Sequence, residues 1–150
     1  MKSLFNTEAH EEIIARIHQL SESSERQWGK MEVGQMLHHC QFPLKISLKR
    51  HKSDGNANFM LKLVGKFFKK SLYDDKPWRQ GLPTAKGLKV VEDKDFAKEK
   101  DILLGLVNDF HNEKDKKEWD PHPVFGSFTP EQWGQMQYKH LDHHLRQFNV

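Results

Sequence analysis

The stretch TPEQWGQMQYKHLDHHLRQF, residues 129–148, decides the fold. Thr129 suits a helix cap and Pro130 its first position. Gln132 stands where a capping box needs a side chain that reaches back to the cap. From there to about Phe148 the chain meets no further proline, and Trp133, Met136, His140 and His144 recur at spacings of three, four and four. At about 100° per residue they form one helical stripe, turned toward a core.

The rest of the chain reads in the same way. Ile13, Ile14, Ile17 and Leu20 make one stripe of a helix over Thr7 to Leu20. A second helix is expected from near Met31 toward Arg50, with Val33, Met36, Leu37, Cys40, Leu44 and Leu48 on one face. Pro43 lies inside it and predicts a kink. After a loop over His51 to Asn58, Met60, Leu63, Val64, Phe67 and Phe68 mark a short third helix backed by Lys62, Lys66, Lys69 and Lys70. A long irregular stretch, Ser71 to Glu92, carries Pro77, Trp78, Gly81 and Pro83. Phe96, Leu103, Val107 and Phe110 then give a helix over Asp95 to Asn112. No segment alternates as a strand does, so the fold expected is all-α: a four-helix bundle with an accessory short helix and a long loop.

The 150 residues make one domain, 1–150, with no internal repeat. With 36% apolar residues against 30% charged, no run approaches the ~20 apolar residues that span a bilayer. From the polar start no secretory signal is expected, and with a single cysteine the expected compartment is a reducing cytoplasm. A net charge of +3, evenly scattered, gives no reason to expect nucleic acid as a partner.

Ten histidines stand out. Chance alone gives roughly one half to one pair at a spacing of four, so position has to decide which of them matter. His140 and His144 share the inward stripe of the last helix, while His143 lies beside it and Asp142 turns away. On the second helix His39 falls within the apolar arc, whereas His38 falls outside it, among Lys45 and Lys49. His10, His18, His38, His51 and His111 read as surface or loop residues. Buried imidazoles need partners, and two sources are open: backbone carbonyls or carboxylates, or a metal ion held by His39, His140 and His144 together. Cys40 reads as an inert buried thiol, Glu32 and Asp142 as solvated carboxylates, and Trp78, Trp119 and Phe125 as packing residues that could also wall a pocket.

GQMLHHC, residues 34–40, resembles the second-helix motif of the DinB/YfiT-like superfamily, with His39 at its histidine position. HLDHHLRQ, residues 140–147, resembles that superfamily's closing helix. Together with His122-Pro123-x-Phe125-Gly126 and Trp133, these motifs are most similar to an uncharacterised branch of unknown function. The resemblance covers nearly the whole chain. It implies a bundle of up-down-down-up type whose metal is bound by His39, His140 and His144, the same three residues that the helical faces select. His38, at a place commonly small and apolar, and Pro43 depart from the pattern.

The resemblance further implies a metal-dependent hydrolase, or a transferase of small thiols such as bacillithiol, mycothiol or glutathione, acting on a small-molecule substrate; a homodimer is compatible with it. Three imidazoles suit a divalent transition metal such as zinc, nickel or iron and leave coordination positions open for water or substrate. The competing expectation is a noncatalytic interaction or stress-response bundle with a vestigial site.

Overall fold

The computed structural model describes residues 1–51, 65, 68–82 and 89–150. Among the described residues the architecture is all-helical, with four α-helices and no strand. These are α1 (Thr7–Gln19), α2 (Val33–Ser47), α3 (Phe96–Asn112) and α4 (Pro130–Gln147), joined by a short 3-10 helix at Lys69–Leu72. The helix expected from Met60, its Lys62 and Lys66 side, and the loop at 52–58 lie outside the described residues, as do 83–88 of the long loop.

Each helix begins and buries as its sequence dictates. Thr129 Oγ1 accepts the Gln132 amide at 3.2 Å while Gln132 Oε1 accepts the Thr129 amide at 3.0 Å, so two otherwise orphaned donors at the start of α4 are satisfied reciprocally. Asp95 caps α3 by accepting the Lys98 amide at 2.8 Å. α1 buries Ala9, Ile13 and Ile17, and α3 buries Leu103, Leu106, Val107 and Phe110, both at helical spacing. α2 runs unbroken through Pro43 from Val33 to Ser47.

α1 and α2 each pack against both α3 and α4, so the four stripes close on one core. At one end the core is aromatic: Phe5 stacks on Phe110 at 4.7 Å, and Trp119 and Phe128 meet Trp133 at 5.9 and 5.1 Å. The tight connection from His122 to Gly126 closes this end with two backbone hydrogen bonds of 2.9 Å, and Gly126 supplies the positive φ (73°) that the turn needs. No helix among the described residues is long and apolar enough to cross a membrane.

Candidate metal centre

Helix α2 carries His39 into the interior, and α4 carries His140 and His144 on consecutive turns toward it. All three are buried. One ring nitrogen from each lies within 4.8 Å of the others, and this is the one such group of three found among the described residues. The ring centroids stand 4.8 to 5.2 Å apart.

The Nε2 atoms of His39 and His140 are 3.3 Å apart. An N–H donor ordinarily sits closer to its acceptor, at about 2.9–3.0 Å. Two nitrogens at about 2.0–2.1 Å from one tetrahedral zinc stand about 3.3–3.4 Å from each other. The observed separation matches that of two ligands on one ion and also lies within reach of an N–H···N hydrogen bond between the two rings.

The third ring is aimed by its neighbours. His144 Nδ1 lies 3.0 Å from Gln147 Oε1, and Gln147 Nε2 donates to the Trp28 carbonyl at 2.7 Å. The second bond fixes the amide: its nitrogen faces Trp28, so its oxygen must accept from His144. Nδ1 therefore carries the proton, and Nε2 keeps the lone pair a metal needs. Gly29 makes this approach possible. With φ of 80°, it leaves open a place where a Cβ would sit 2.6 Å from Gln147 Nε2.

Burial sets the protonation state. Desolvation, reinforced by the neighbouring rings, holds His140 well below the ordinary histidine range, and His144 is brought down to about 3 by burial first and His39 second. Both are neutral at neutral pH, the form that binds metals. Among the described residues His140 Nδ1 is buried with no hydrogen-bond partner, so their groups leave this ring incompletely satisfied. Three imidazole donors, with no carboxylate or thiolate in the set, suit a borderline divalent ion.

One tryptophan packs on the cluster and a second on the adjacent His143. Trp78 meets His140 and His143 edge-on at 6.0 and 5.5 Å, and Trp28 meets His143 at 5.9 Å. The segment bearing Trp78 is pinned to α4 by Lys139, a buried ammonium that donates to the Ser71 carbonyl (2.7 Å), the Asp74 carbonyl (2.9 Å) and Asp74 Oδ1 (2.6 Å). Its three protons meet three acceptors. Trp78 Nε1 also donates to the Ser71 carbonyl at 2.7 Å, folding the segment on itself.

The structure brings together His39, His140 and His144, as the helical faces predict. Cys40 is buried, with Sγ 3.6 Å from Met36 Sδ, and burial pushes its thiol pKa up, so it is inert as expected. Glu32 lies on the surface beside Arg26.

Two readings change. His38 does not stand in solvent among lysines: Nδ1 meets the buried Glu99 at 2.9 Å, because α3 packs against that side of α2. Asp142 turns from the cluster but is not solvated, since it takes Arg16 of α1 at 2.8 Å. The supporting residues Gln147, Trp28, Lys139 and Asp74 carried no role in the sequence reading. The one available signal was the spacing of three from His144 to Gln147.

The chain belongs to the family described as Protein of unknown function (DUF1569), whose model matches residues 2–150. No curated protein and no solved structure matches it.

Proposed function

We propose that this DUF1569 member is a metal-dependent enzyme of the DinB/YfiT-like type. His39, His140 and His144 hold one divalent transition-metal ion, zinc, nickel or iron, and the reaction is hydrolysis or transfer of a small thiol to a small-molecule substrate. The reading includes the up-down-down-up course of that superfamily. The observation that carries it is the buried cluster itself: three imidazoles from two helices, with nitrogens within 4.8 Å and no carboxylate among them.

When bound, such an ion lowers the pKa of water toward ~7 or holds a thiol as its thiolate, which makes both reactions accessible. The chain's own part is orientation and exclusion of water. Gln147 holds the tautomer of His144. Burial keeps His140 and His144 unprotonated, and the ring of Trp78 covers His140 while that of Trp28 packs on the neighbouring His143.

The test is elemental analysis of the purified chain, thermal melts with and without chelator, and a thiol-transfer screen with several thiols and electrophiles. About one ion per chain and a melt lowered by chelator are expected. No bound metal and an unmoved melt would instead favour the noncatalytic bundle.

A further inference from the structure

Among the described residues, three buried side-chain polar atoms have no hydrogen-bond partner: Trp133 Nε1, Gln137 Oε1 and His140 Nδ1. All three belong to α4, at spacings of four and three, so they share one stripe of that helix. Buried polar groups are nearly always satisfied, and three exceptions on one stripe call for a common cause.

Two of the three are complementary. Gln137 Nε2 donates to the Pro43 carbonyl at 2.9 Å and lies 3.4 Å from Ser47 Oγ, which fixes the amide and leaves Oε1 as the unused acceptor. His140 follows three residues later. Its Nε2 faces His39 at 3.3 Å, so with that nitrogen bound to a metal, Nδ1 carries the proton and becomes the unused donor. Side chains three apart on a helix have Cβ atoms about 5–6 Å apart. The two are thus neighbours on one face of α4, and a single water can accept from the one and donate to the other.

We propose that Gln137 is a positioning residue for His140, acting through one buried water that accepts from His140 Nδ1–H and donates to Gln137 Oε1. The inference rests on the metal reading above and extends it. Both α4 ligands are then held alike, each by a glutamine whose amide nitrogen is anchored on a main-chain carbonyl. Gln147, anchored on Trp28, holds His144 directly, and Gln137, anchored on Pro43, holds His140 through water. Ligating histidines generally give their second N–H to such a partner, which fixes tautomer and ring angle. A merely structural Gln137 would tie α4 to α2 through Pro43 and would leave the protonation of His140 untouched.

The experiment uses the full chain with ¹⁵N-labelled histidines, titrated with zinc alone. In the wild type, ring ¹H–¹⁵N correlations should place a slowly exchanging proton on His140 Nδ1, with a cross-peak to a long-lived water. Gln137→Leu should lose that protection and bind zinc about 10–100-fold more weakly. Gln137→Glu keeps the acceptor but loses the donor to Pro43, and should retain both the proton and wild-type or tighter zinc binding. Zinc bound through His140 Nδ1, or Gln137→Leu binding zinc like the wild type, would overturn the role of Gln137 and leave the metal centre standing. A wild type that binds no zinc, nickel or iron overturns the metal reading itself. The wild-type spectrum alone decides the case if Gln137→Leu does not fold.

Discussion

His144 Nδ1 and Gln147 Oε1 meet at 3.0 Å, one turn apart on α4, and this contact determines which nitrogen of His144 faces His39 and His140. On the metal reading proposed above, the two residues therefore separate making a metal bond from orienting it. His144→Ala removes a ligand and should leave the purified chain without its ion while helicity is kept. Gln147→Met keeps the ligand but frees its tautomer, and should weaken binding by about 10–100-fold. Metal titrations of the two variants check this, and equal metal content in His144→Ala and the wild type would remove His144 from the site.

Gly29 extends the same relationship to the α1–α2 connection. It has φ of 80°, and a Cβ there would sit 2.6 Å from Gln147 Nε2, whereas at Gly81, with φ of 70°, nothing lies within 4 Å. Gly81→Ala should therefore show backbone strain alone, about 1 kcal/mol. Gly29→Ala should lose about 1–3 kcal/mol more, by pushing Gln147 off the Trp28 carbonyl. Its metal affinity should fall with its stability, while that of Gly81→Ala should not. Urea unfolding and metal titration of the pair measure both effects.

What was legible in the sequence follows from what a helical period encodes. His140 and His144 could be placed because Trp133 and Met136 mark the buried stripe they extend, and His39 because it lies within its own helix's apolar arc. The period says nothing about which other helix covers the polar side. His38 therefore read as solvent-facing until α3 was seen to bring Glu99 to 2.9 Å. Gln147 and Trp28 are 119 residues apart, and no local pattern announces such a contact. Lys139 is the sharpest case: nothing in its local pattern marks it as buried, yet its three acceptors come from the Ser71 to Asp74 turn, whose course depends on the bundle already being formed.

That lysine yields a third prediction. Lys139→Met keeps the length and apolar stem but removes the donor to the Asp74 carbonyl and carboxylate and leaves the Ser71 carbonyl with Trp78 Nε1 alone, which should cost about 1–3 kcal/mol. The larger effect should be local, because Lys139 holds the segment that sets Trp78 against His140. Acrylamide quenching of Trp78, obtained by subtracting the signal of Trp78→Phe, should rise in Lys139→Met. An unchanged quenching constant would show that Trp78 stays in place without the clamp.

The fourth prediction concerns pH and a histidine outside the cluster. His122 Nδ1 accepts the amides of Val124 at 3.1 Å and Phe125 at 3.3 Å, so its protonation would break both bonds within a buried turn. Burial accordingly draws its pKa down to about 4, against about 6.5 in an unfolded chain. Between those values the unfolded chain holds the extra proton and the folded one does not. The contribution to stability is then complete above about pH 6.5 and shrinks as pH falls, by up to ~1.4 kcal/mol per pH unit, until it is spent near pH 4. At pH 5 the loss is about 2 kcal/mol. His122→Asn places a non-titrating oxygen near the position of Nδ1 and should reduce this pH dependence. Urea unfolding at pH 7.5 and pH 5 should show the wild type losing about 2 kcal/mol more than His122→Asn between the two pH values. His140 and His144, also depressed by burial, add losses of the same sign to both proteins, so the difference isolates His122. Equal losses in the two proteins would mean that His122 titrates normally and that the turn it closes opens in acid.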